Sequence, residues 1–132
     1  MLAMLTDVTA LELDEAAIRQ YAPQAEELAV RYGHVLYQAI IHRAWGVAHR
    51  LAGEYPQAEA RLNMAMVMFR QLNTRWQIGR TLFEQGELGL ALDDKARARQ
   101  AFTLALSAFE EMQATPDIAR TQTVINSLSS EK

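Results

Sequence analysis

Three histidines are the side chains of this chain best suited to moving a proton or holding a metal: His34, His42 and His49. They lie eight and seven positions apart. On a helix that spacing keeps them along one face, but eight residues rise about 12 Å, too far to share one ion. The expectation is therefore half-buried histidines, hydrogen-bonded between helices, with no catalytic or ligand role. The acidic residues come as neighbours, Glu26-Glu27, Asp93-Asp94 and Glu110-Glu111. Adjacent positions on a helix point about 100° apart, so these are not the facing carboxylates that acid–base work requires. Asp93-Asp94 reads as a cap for the next helix, and Glu110-Glu111 as a solvated face. Met64, Met66 and Met68 crowd one segment. Such soft side chains can serve adaptable binding, but Met66 falls on an apolar stripe, so packing is expected. There is no glycine-rich phosphate loop, no HExxH and no Gly-x-Ser-x-Gly. With no cysteine, thiolate catalysis, zinc–thiolate sites and disulfides are excluded. The sequence predicts no enzyme activity, no cofactor and no metal.

Composition narrows the class further. The chain has 132 residues, a length for one domain or a piece of a larger protein. Half of the residues are hydrophobic, enough for a continuous core, while 6 glycines and 3 prolines are too few for a turn-rich β protein. The net charge of −3 disfavours direct nucleic-acid binding, which needs concentrated Lys and Arg. No apolar run approaches the roughly 20 residues of a membrane helix. Met1–Leu5 is apolar but short, with Asp7 close behind, so no signal peptide is expected. The expected location is the cytoplasm, without membrane contact.

The elements that would position any site are helical and repeated. "IGRT" at Ile78–Thr81 returns as "IART" at Ile118–Thr121, forty residues on. The same offset aligns Gly46 with Gly86, Ala58 with Ala98, Ala65 with Ala105, Met66 with Leu106 and Phe69 with Phe109. Small and apolar positions match while polar ones drift, as when a packing geometry repeats. Within Tyr55–Leu72 the apolar residues Ala58, Leu62, Ala65, Met66, Phe69 and Leu72 form one helical stripe. Lys95–Met112 repeats it with Ala98, Phe102, Ala105, Leu106, Phe109 and Met112. Gly53-Glu54 and Asp93-Asp94 mark turns, and "NTRW" and "QATPD" mark joints. The expected organisation over 1–132 is a single domain: a helix over 13–32, a helix pair over 36–72, a second pair over 75–112 and a capping helix over 116–128. Thr115 is the expected N-cap of that last helix, with Pro116 suited to its first turn. Pro23 should bend or split the first helix, because an interior proline costs about 3 kcal/mol.

Trp45-Gly46, Ala58, Leu62 and Ala65, then Gly86, Ala98, Phe102 and Ala105, resemble the signature of tetratricopeptide repeats. The resemblance covers roughly 36–128. It implies an all-α fold, an α-α superhelix of antiparallel helix pairs with about six helices. The alanines and glycines would let paired helices approach closely. The chain departs from the family at Gln85, where an apolar residue usually precedes the glycine, and at His49 and Gly89, where an aromatic is usual. The forty-residue period exceeds the family's 34 and is similar to the arrays attached to large bacterial regulators.

In such arrays the first helix of each pair lines a concave face. The resemblance places Ile40, Arg43, Val47 and Arg50, then Arg80, Phe83, Glu84 and Glu87, then Arg120 and Thr123 on it. Arginine with an aromatic is a composition suited to gripping a peptide. The implied function is a protein-interaction or regulatory scaffold that binds a peptide or protein segment, as part of a larger signalling or transcriptional regulator. Two other readings stand beside it, a self-associating dimer and a small-ligand sensor that holds an anion with Arg43, Arg50 and Phe83. Arg80 and Arg120 recur at the repeat offset and are expected either in the groove or bonded to a neighbouring helix. The family members that clamp a C-terminal carboxylate use lysine and asparagine where this chain has Arg43, Val47, Glu84, Arg120 and Val124, so binding of acidic chaperone-type tails is not expected. The apolar start, "MLAMLTDVTALEL", is expected to pack on further repeats or a second copy.

Overall fold

Among the residues that the structure describes, 15–130, helices begin at intervals of twenty residues. This is a computed structural model. Its helices are α1 (Glu15–Arg31), α2 (Val35–Leu51), α3 (Tyr55–Leu72), α4 (Arg75–Ala91), α5 (Lys95–Glu111) and α6 (Thr115–Ser130). The fold is all-α, with no strand among the described residues. The expectation for "MLAMLTDVTALEL" lies outside the described residues.

The turns explain the period. Residues 33, 53, 73, 93 and 113, occupied by Gly33, Gly53, Asn73, Asp93 and Gln113, all take positive φ between 53° and 78°. A left-handed residue ends a helix by turning its last carbonyls back toward the next amides. At four of the turns the same pair of bonds is made. Gly53 N–H donates to Arg50 O (3.1 Å) and Glu54 N–H to His49 O (2.8 Å). The same bonds recur at 33–34, 93–94 and 113–114. At these four turns three residues suffice to reverse the chain, and the next helix packs on the one before.

The described chain divides into two compact units, one ending at Leu72 and the other starting at Asn73. In the first unit α1 packs on α2, and α2 on α3. Ile18, Ala22, Ala25 and Ala29 of α1 are buried with Ile41, Ala44, Val47 and Ala48 of α2, and Tyr37 and Trp45 pack against them. Of the expected bend or split at Pro23, the split does not occur; α1 is helical throughout. Pro23 is exposed, away from the buried stripe, so packing of that stripe outweighs the local cost of the proline.

In the second unit α4 packs on α5, and α5 on α6. The aligned small residues do the same work in both units. A Cβ on Gly46 would stand 2.6 Å from Leu62 Cδ2, and one on Gly86 2.7 Å from Phe102 Cε1. Ala58, Ala65, Ala98 and Ala105 are all fully buried. Asp94 accepts a bond from Arg97 N–H (3.1 Å) and caps α5. Thr115 does not cap α6: it is the first helical residue, and its hydroxyl donates back to Gln113 O (3.5 Å). Along α6, Ala119, Gln122, Asn126 and Ser129 are exposed where α4 buries Gly79, Leu82, Gly86 and Gly89, so this helix presents a polar face.

Candidate binding site

The IGRT and IART segments begin the site because their residues divide into packing and contact roles. Ile78 and Gly79 are buried, and a Cβ on Gly79 would meet the Phe109 ring at 2.8 Å. Thr81 and Thr121 are fully buried, each donating its hydroxyl to the carbonyl four residues back, Gln77 O (2.8 Å) and Asp117 O (2.7 Å). Each arginine lies over an aromatic ring. Arg80 Cζ is 5.4 Å from the Trp76 centroid, and Arg120 Cζ is 4.4 Å from that of Phe83.

In the second unit these contacts join into one surface across α4 and α6. Trp76, in the first turn of α4, donates its indole N–H to Asp117 Oδ2 (2.9 Å). Asp117, in the first turn of α6, also accepts from Arg120 (3.2 Å). Phe83 continues inward, edge-on to Phe102 at 5.0 Å. Trp76 is 36% exposed and the Arg120 side chain 44%, while Phe83 is only 8% exposed. This surface offers an indole edge and a guanidinium, both bonded to the Asp117 carboxylate.

The other groove candidates are placed differently. Arg43 is fully buried in the first unit, 5.0 Å above the Phe69 ring, and Val47 belongs to the core between α1 and α2. Arg80 and Glu84 are buried, and Arg50 and Glu87 half-buried. Ile40 is buried and Thr123 exposed. The reason is geometric: a first helix packs on more than one side, so α4 buries residues almost all the way round. Trp76 and Asp117 were not among the candidates. A tryptophan beside Thr74-Arg75 at a helix start was the available signal, together with an acid at the matching place in the next helix.

The histidines and the methionines of α3 are placed as follows. His42 and His49 are half-buried and bonded, to Arg61 (2.9 Å) and Glu54 (2.9 Å), as expected. His34 instead is exposed in the α1–α2 turn, beside Tyr32 and Tyr37. Met66 is buried, whereas Met64 is 47% exposed. No group of three or more His, Asp or Glu among the described residues could hold a metal ion. No helix among them is long and apolar enough to cross a membrane.

No protein-family model matches this chain, and neither does any curated protein or solved structure.

Proposed function

We propose that this protein is a tetratricopeptide-like interaction module that binds a peptide or protein segment, within a signalling or transcriptional regulator of the cytoplasm. The observation that carries the reading is the Trp76–Asp117–Arg120–Phe83 surface of the second unit. Tryptophan and arginine are the residue types that most often dominate binding energy at interfaces. Here both are partly exposed, and each is held by a partner on the other helix. Holding them in place lowers the entropy lost on binding. The repeated contacts Gly46–Leu62 and Gly86–Phe102 support the family part of the reading.

The test is capture of a partner by the full chain, with the bound segment mapped by cross-linking. Arg120→Glu should weaken capture at least tenfold, as expected for loss of a central anchor, while helicity and melting stay near those of the parent. Ser129→Glu, on the polar face of α6, should leave capture intact. Equal capture by parent and Arg120→Glu, or cross-links that avoid α4 and α6, would overturn the proposal.

A further inference from the structure

The first unit carries a cluster of charged side chains that the proposed binding surface does not use. It ties α1 to α3 across Trp45. Arg61 of α3 donates through the same Nη1 atom to Glu26 Oε2 of α1 (2.6 Å) and to His42 Nδ1 of α2 (2.9 Å). A second arm runs through Glu54, whose carboxylate faces His49 Nδ1 (2.9 Å) and Arg19 of α1 (2.8 Å). Arg19 also pairs with Glu15 (2.9 Å). The guanidinium carbons of Arg19 and Arg61 lie 5.8 and 5.6 Å from the Trp45 ring, and His49 stacks on that ring at 5.7 Å.

We propose that this cluster is a proton-operated latch, in which protonation of His42 expels Arg61 and loosens the C-terminal half of α1. The chemistry of the pair sets the switch. A guanidinium only donates, so His42 Nδ1 must accept through its lone pair, with its proton on Nε2. A proton arriving at Nδ1 sets two donors and two positive charges against each other. Glu26, the carboxylate that faces this arm from α1, already serves Arg61. The other arm holds no such conflict, because His49 Nδ1 faces the Glu54 carboxylate rather than a guanidinium. The release is therefore local, at the Glu26 end of α1 and away from the Arg19 end.

Packing makes α1 sensitive to this change. Three of its four buried residues are alanines, so it gains less from apolar burial than a helix anchored by leucine or phenylalanine. Burial and the neighbouring Arg61 charge hold His42 below the usual histidine range, against the weaker pull of Glu26. The latch is thus closed at neutral pH and opens on acidification below about 6.5, the ordinary histidine value.

Hydrogen exchange and fluorescence test the idea on the full chain carrying Trp76→Phe, which leaves Trp45 as the single indole. Between pH 7.5 and 5.0, amides of 22–32 should exchange at least about fivefold faster after correction for intrinsic rates, because local opening governs exchange. Amides of 15–21 should change less, and Trp45 emission should shift over the same range. His42→Gln keeps an acceptor but does not titrate, so it should abolish the response, whereas His49→Gln should retain it. Arg61→Met removes the donor and should also abolish the response, which decides the matter if His42→Gln fails to fold. An unchanged pH response in both His42→Gln and Arg61→Met, or none in the parent, would overturn the latch.

Discussion

Gly86 lies so close to Phe102 that a Cβ would stand 2.7 Å from two of its ring carbons. Phe102 is fully buried and edge-on to Phe83, so the ring has nowhere to move. Alanine at 86 would gain about 1 kcal/mol of helix propensity but overpack the site at a cost of about 1–3 kcal/mol. At Gly46 the obstacle is a single branched side chain, Leu62 Cδ2 at 2.6 Å and Cγ at 2.7 Å, smaller than a ring. At Gly89 it is backbone, Ala98 N at 2.9 Å and Cα at 3.0 Å, and the two helices themselves would have to part. Urea unfolding should therefore rank the alanine variants in the order Gly46→Ala, Gly86→Ala, Gly89→Ala, from least to most destabilised. A Gly89→Ala protein as stable as the parent would refute this account of the helix spacing.

The turn positions supply a test of backbone strain alone. Gln113 has φ of 53°, and a side chain in the left-handed region costs about 1–2 kcal/mol. Glycine removes that cost but gives the unfolded chain more freedom, which returns about 0.4–1 kcal/mol. Gln113→Gly should raise the unfolding free energy by about 0.5–1 kcal/mol. Asn73→Gly and Asp93→Gly should raise it less, because Asn and Asp tolerate this conformation. In the opposite direction, Gly33→Ala and Gly53→Ala should destabilise even though a Cβ at either would meet nothing within 4 Å. Chemical denaturation of the five single variants gives the comparison.

Helix type and register were legible because they rest on local pattern. The stripe from Ala58 to Phe69 and the spacing of Gly46 and Gly86 report faces and close approaches directly. The twenty-residue period was less legible, since only Gly33 and Gly53 announce a left-handed turn. Asn73, Asp93 and Gln113 take the same backbone without the same residue. The site was least legible. Periodicity says which side a residue faces along its own helix, but not how many neighbours that helix has. Arg43 and Glu84 look like groove residues on one helix and are buried in the assembled fold. Trp76 and Asp117 meet only because two helices bring their first turns together, a relationship no single stretch of sequence displays.

Acid should act on the first unit through Glu54. The His49 ring, and then Arg19, hold its carboxyl below the usual carboxylate range. A carboxyl depressed on folding contributes stability above its unfolded value and loses it as pH falls through the folded one. Glu54→Gln should therefore lower the melting temperature at neutral pH, and the gap between variant and parent should close as the pH falls below about 4. Salt should shrink the gap as well, because the pair is partly exposed. A gap that stays constant from pH 7 to pH 3 would show that the charge of Glu54 contributes nothing.

Asp117 is the hydrogen-bonding tie between α6 and α4, beside the Arg120–Phe83 contact. It accepts from Trp76 on one helix and from Arg120 on its own, and it sits in the first turn, where a negative charge favours the helix dipole. Asp117→Ala removes all three effects at once. Amide exchange in α6 should quicken markedly while α4 and α5 keep their protection, because segments of a structure open locally and independently when their own contacts are lost. Trp76→Phe removes only the indole donor and should quicken exchange in α6 by a smaller factor. The two changes should not add, since the Trp76 bond is already absent once Asp117 is alanine. Strictly additive effects in a double-mutant cycle would mean that the Trp76–Asp117 bond does not couple the two helices.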